Sequence, residues 1–270
     1  MKVGRTCTAQ RGPVRQISEV HSVGGEGAGS CIRAADYPFG VQRNPLPAAI
    51  LFDLDGTIVD SEPYWIAVEM ELAARDGGRW SHADGLSLIG NDLQSSAVVL
   101  RERGGIRGTN DEIIADLIAG VERHNRESGV RWRPGALALI EMLHTAGVPC
   151  AIVTMSYRSL AEAVIQFLPE GSISALVTGD EVTHGKPHPE PYLRAARMLG
   201  VDPTHCIGIE DSPTGLASVE AAGVRSIGVP FLVHLHAATG RSRVDSLADL
   251  TLDDLRDIAA GLPIDRVDQP

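Results

Sequence analysis

Two carboxylates stand two residues apart in Asp53-Leu54-Asp55-Gly56-Thr57, directly after the short apolar run Ala49-Ile50-Leu51-Phe52. A continuous apolar run of this length suits a strand buried on both faces of a parallel sheet. At the end of such a strand, Asp53 and Asp55 can both reach the crevice where open α/β sheets bind ligands. Together they offer an oxygen-rich site for a hard divalent cation, and either could act as a nucleophile or as a general acid. Other polar groups follow other apolar runs in the same way. Thr154 and Ser156 follow AIV, Lys186 lies in HGKPHPEPY, and Glu210-Asp211 ends IGIED. Each alone has a plain structural reading: an Asp/Gly turn, a helix N-cap, a solvated lysine, the acidic first turn of a helix. Their succession at four strand ends is harder to explain that way, because a parallel sheet gathers all its C-terminal ends at one edge.

The elements that must position these groups are legible in outline. After Asp53-Leu54-Asp55, the stretch EPYWIAVEMELAARDGG reads as a helix with Pro63 in its first turn and Gly77-Gly78 as its stop. Helical patterns over Asp92–Arg103 and Asn110–Glu127 follow, the latter N-capped by Thr109 or Asn110. No strand pattern occurs between Glu62 and about Arg133, so this is an all-helical insertion. A helix opened by Pro134-Gly135 then leads into alternation. Strands are expected at 149–154, 173–178, 205–210 and 225–229, with helices at 159–167, 189–199, 214–222 and 251–260. This alternation predicts an α/β fold, a doubly wound parallel sheet with a small helical cap inserted after the first strand. The expected division is 48–61 and 134–270 for the core and 62–133 for the cap. Residues 1–47, rich in Gly, Ser and Arg, with six Lys/Arg against three Asp/Glu and no apolar core of a signal peptide, are expected to be a disordered extension.

Composition narrows the function. Hydrophobic residues make up 43% and charged residues 22%, the balance of a soluble globular chain. A net charge of −11 and only 4% aromatic residues argue against nucleic-acid binding, which needs cations for phosphates and rings for bases. No run is long and apolar enough to span a bilayer. The four cysteines show no CxxC spacing, so neither a zinc knuckle nor a redox pair is expected. Reduced thiols in a cytoplasmic protein, and a monomer, are the expectation.

The four motifs in this order resemble the haloacid dehalogenase superfamily. The words DSEP, GKPHPEPYL and EDSPTG are similar to its β-phosphoglucomutase-like and sugar-phosphate phosphatase branch, over about residues 48–250. The resemblance implies a HAD-like Rossmannoid core and hydrolysis of a small phosphorylated metabolite, a sugar or polyol phosphate. It implies Asp53 as nucleophile, Asp55 as general acid and base, Thr154 and Lys186 on the phosphoryl oxygens, and Ser156 as a substrate-side residue that supports the loop. Mg²⁺ would be held by Asp53, the Asp55 backbone carbonyl and Asp211, with Glu210 as ligand or support.

In the cap, the resemblance points to Trp65, Gly90 and Asn91 as substrate contacts, with a core role for Trp65 equally open. Mutases of this branch carry a His, a Lys and an Arg at positions matching Trp65, Ile89 and Leu93. Their absence here argues for hydrolysis over the alternative, a phosphosugar mutase. No lysine occurs in 62–133, which removes a Schiff-base phosphonate hydrolase. A non-catalytic phosphate-binding domain is the remaining alternative.

Overall fold

The computed structural model describes residues 43–89 and 93–267. Its centre is a seven-stranded sheet in the order β3-β2-β1-β4-β5-β6-β7, parallel throughout. The strands are β1 (Ala49–Phe52), β2 (Cys150–Val153), β3 (Ala175–Val177), β4 (Cys206–Glu210), β5 (Arg225–Gly228), β6 (Ser242–Val244) and β7 (Asp265–Arg266). Every residue of β1, β2 and β4 is buried, as expected for strands covered by helices on both faces. On one face α5 (Ala136–Thr145), α6 (Arg158–Ile165) and α9 (Leu252–Ala259) pack against Ile50, Phe52, Ile152 and Ile209. On the other, α7 (Glu190–Leu199) and α8 (Pro213–Ala221) pack against Leu51, Ala151 and Val153 through Tyr192, Ala195 and Val219.

Between β1 and α5 the chain leaves the sheet to form a helical cap. It comprises α1 (Glu62–Arg75), α2 (His82–Leu86), α3 (Leu93–Gly104) and α4 (Asn110–Ser128). Tyr64, Val68 and Leu72 of α1, Leu100 of α3, and Ile113 and Leu117 of α4 form a hydrophobic cluster of their own, which Leu160 of α6 joins. The two connections between cap and core hydrogen-bond to each other. Asp60 N donates to Arg131 O at 2.8 Å, Arg133 N donates to Ile58 O at 2.8 Å, and Val59 bridges Trp132 in antiparallel fashion.

Expected and observed elements agree apart from their ends, with three additions. Thr109, not Asn110, caps α4, its hydroxyl accepting from Glu112 N while the Glu112 carboxylate accepts from Thr109 N. The short α2 is opened by a similar box between Ser81 and Asp84. Five strands were expected and seven are present among the described residues. The strand β6 escapes a hydrophobic pattern because its middle residue is a buried arginine. Arg243 donates to Leu235 O at 2.7 Å and to Asp265 at 2.7 Å, which pairs its charge inside the sheet while its Nε stays buried without a partner. The strand β7 is two residues long and exposed. Of the expected N-terminal extension, residues 1–42 lie outside the described residues. Arg43 and Asn44 donate to Asp253 and Asp257 of α9, and Leu46 packs on the core. Among the described residues, no helix is long and apolar enough to cross a membrane.

Candidate active site

Three neighbouring strands, β2, β1 and β4, deliver the polar groups to one rim. Asp53 follows β1, its N–H still donating to Ile209 O of β4 at 3.0 Å. Thr154 follows β2, its N–H donating to Val177 O at 2.9 Å. Glu210 ends β4 and Asp211 follows it. Because the chain leaves β1 for β2 on one side and returns to β4 on the other, this rim is the switch point where open α/β sheets bind ligands.

Lys186 arrives from the loop before α7 and ties the rim together. Its Nζ donates to Asp53 Oδ1 at 2.6 Å, to Glu210 Oε1 at 2.6 Å and to Val153 O at 2.9 Å. Burial opposes the ammonium's charge, but the two carboxylates outweigh it and hold the group above lysine's usual range. Glu210 is saturated by protein donors. Oε1 also accepts from Tyr192 Oη at 2.8 Å, and Oε2 accepts from Ser212 Oγ at 3.0 Å. Asp53 Oδ2, by contrast, is buried with no hydrogen-bond partner.

Two glycines allow this crowding. A Cβ on Gly56, where φ is +86°, would lie 2.1 Å from Asp211 Oδ2. One on Gly215 would lie 1.9 Å from the Glu210 carboxyl.

Carboxylate oxygens of Asp53, Glu210 and Asp211 lie within 4.8 Å of one another. Burial first, then the Glu210 charge, pushes Asp53 well above the usual carboxylate range and Asp211 up to about 7. Fully ionised, the three acids exceed the one ammonium by two negative charges, and all the donors are oxygens. With Asp53 Oδ2 unpaired, these residues fit a hard divalent cation such as Mg²⁺. The Asp55 carboxylate is not part of this group. Ser61 Oγ donates to its Oδ1 at 2.7 Å, and Ser156 Oγ at 2.6 Å and Thr154 Oγ1 at 3.3 Å donate to its Oδ2.

Beside Asp55 a cavity of about 420 Å³ opens between core and cap. Thr154, Ser156 and Asp180 line it from the core, and Glu62, Trp65, Glu69, Ile89 and Leu93 from the cap. Trp65 both faces this cavity and packs against the cap cluster. Burial raises Glu62 and Glu69 to about 7. Glu69 is buried and accepts from Trp80 Nε1 at 2.9 Å. Gly90 and Asn91, expected as substrate contacts, lie outside the described residues.

Sequence reasoning assigned no role to Tyr192, Ser61, Glu62 or Glu69. The two glutamates could have been found as acids seven apart on a helix face that also carries Trp65. Tyr192 gave no such signal, since an aromatic in the first turn of a helix reads as core.

A parallel sheet with an acid-rich switch point and a helical cap inserted after its first strand defines a capped, Rossmann-like α/β protein. The haloacid dehalogenase-like hydrolase family matches residues 50–229, and the chain belongs to it. It is 34% identical to hexitol phosphatase A of Escherichia coli over 66% of this chain and 81% of that protein. It is 30% identical to a bifunctional riboflavin kinase/FMN phosphatase of Arabidopsis thaliana over 77% of this chain, but spans only 55% of that longer protein. A mutant of CbbY from Rhodobacter sphaeroides, solved with xylulose-(1,5)bisphosphate, superposes with a TM-score of 0.67 and 26% identity, covering 81% of this chain and all of that one.

Proposed function

We propose that this HAD-type phosphatase hydrolyses a small phosphomonoester with an uncharged, hydroxylated leaving group, a sugar or polyol phosphate, in the cytoplasm. The observation that carries the reading is Asp53 at the switch point, one oxygen held by Lys186 and the other buried without a partner. The Asp53 carboxylate attacks phosphorus in line and the bond to the substrate alcohol breaks, leaving an aspartyl phosphate. Asp55, oriented by Ser61 and Ser156, gives a proton to the departing alkoxide oxygen and then takes one from the water that hydrolyses the intermediate. Lys186 and the Thr154 hydroxyl meet the phosphoryl oxygens as their charge spreads. Tyr192 and Ser212 hold Glu210, and Glu210 holds Lys186 in place. Asp53 and Asp211, with the Asp55 carbonyl, would hold Mg²⁺, and Glu210 supports from behind because its oxygens are engaged. When bound, Mg²⁺ supplies the charge that offsets repulsion between a carboxylate and a phosphate dianion.

The cavity supports hydrolysis over isomerisation. Its described lining holds the carboxylates of Asp55, Glu62, Glu69 and Asp180 and no lysine or arginine. A second phosphate would find no cation in this lining, whereas sugar hydroxyls would find acceptors. Similarity to a hexitol phosphatase points the same way. Buried Cys150 and Cys206, both free thiols, support a reducing compartment.

The test is phosphate release from a panel of hexose, pentose and polyol monophosphates, with Mg²⁺ present and chelated. Release that needs Mg²⁺ and disappears in Asp53→Asn is the expected result. Isomer interconversion faster than release would mark a mutase, and no turnover of any ester would mark a binding domain.

A further inference from the structure

The loop that carries Lys186 also brings together two imidazoles and a carboxylate that the proposed hydrolysis does not use. His184 Nδ1 lies 3.0 Å from Glu190 Oε2, and the His184 and His188 rings lie 4.6 Å apart, tilted by 31°. One ligand atom from each of His184, His188 and Glu190 falls within 4.8 Å of the other two. The backbone builds this arrangement. The Glu190 carboxylate accepts from Thr183 N at 2.8 Å and from His184 N at 3.0 Å. His188 N donates to Gly185 O at 3.0 Å, and Ser218 Oγ donates to His188 O at 2.6 Å, pinning the loop to α8. Both histidines are exposed and Glu190 is half-buried, so the cluster opens to solvent.

We propose that His184, His188 and Glu190 form a binding site for a borderline divalent transition-metal cation, with Zn²⁺ as its representative. Two imidazole nitrogens and one carboxylate, with positions left for water, make the donor set of an open zinc site. Mg²⁺ and Ca²⁺ prefer all-oxygen sites such as the acidic group at the sheet rim. The cation replaces the proton that His184 Nδ1 shares with Glu190. It takes His188 through Nδ1, in place of the 3.2 Å bond from Glu190 N. That N–H lies in the first turn of α7, where a helix supplies no internal partner, so water can take over. Lys186 lies between the two histidines, so an occupied site ties both sides of the loop that presents its ammonium to Asp53 and Glu210.

The experiment is a Zn²⁺ titration of the full-length protein against a chromophoric chelator, with Mg²⁺ saturating. One Zn²⁺ per chain that Mg²⁺ does not displace is the expected result. His184→Ala and His188→Gln should each weaken it at least about tenfold, since even an outer-shell change commonly costs that much. His124→Ala serves as control, because His124 Nε2 pairs with Glu71 at 2.9 Å without a third donor among the described residues. It should leave Zn²⁺ binding unchanged. Melting temperatures establish that each variant is folded, and His188→Gln keeps side-chain size and hydrogen bonding should the alanine variant fail. Binding that survives both substitutions, binding displaced by Mg²⁺, or no binding at all would each overturn the site.

Discussion

Lys186 is the residue on which the rim's charge balance turns. It is buried between the carboxylates of Asp53 and Glu210. Removing one member of such a group leaves uncompensated charge in a low-dielectric site. Lys186→Met is therefore expected to abolish turnover and also to destabilise the fold, by roughly 3–5 kcal/mol, read from chemical denaturation. Asp53→Asn should differ. It removes the nucleophile but keeps a polar partner for Lys186, so turnover disappears while the thermal midpoint holds.

Glu69 gives a pH signature of the cavity. Its folded-state pKa, raised by burial from 4.5 to about 7, means that the folded chain keeps a proton the unfolded chain has released. That contribution is fully present below about pH 4.5 and is lost as pH rises through about 7. It amounts to on the order of 3 kcal/mol. Thermal unfolding should show stability falling from about pH 5 to about pH 8, with Glu69→Gln flattening part of that fall.

The N-terminus of α8 shows how an element sets a site through what it lacks. Ser212 caps this helix by accepting from Gly215 N at 3.0 Å, and the same hydroxyl donates to Glu210. The Glu210 carboxyl sits where a Cβ on residue 215 would be. Gly215→Ala must push Glu210 away and loosen its hold on Lys186. A fall in activity of at least about tenfold is expected, equivalent to about 1.4 kcal/mol of transition-state stabilisation. Circular dichroism should still report the sheet and helices. The paired cap connections are the other telling element. Their hydrogen bonds at Asp60 and Arg133 make a short ribbon that ties the two ends of the cap together where it leaves and rejoins the sheet.

At the level of the whole chain, the acidic rim is an unbalanced charge held in place by burial on both sides. A cation that binds the folded chain and not the unfolded one stabilises it by mass action, by about 2.7 kcal/mol at a hundredfold excess over its dissociation constant. Adding Mg²⁺ to chelator-treated protein should raise the melting temperature. The rise should be absent in Asp211→Asn if the rim is where the ion sits.

Periodicity carried the α/β alternation, because buried parallel strands and amphipathic helices each leave a repeating pattern. That Asp53, Thr154, Glu210 and Asp211 would meet at one rim was readable for a related reason: residues that end parallel strands must share an edge. Strand β6 was not readable, since its buried arginine is paired with Leu235 and Asp265, partners that no local pattern announces. Nor were Tyr192, or the cavity face of α1, where Glu62, Trp65 and Glu69 meet the core. Spacing along the chain fixes which groups can reach a common rim. Which oxygen is left without a partner, and which charges face one another across the cap, depends on how separate elements pack.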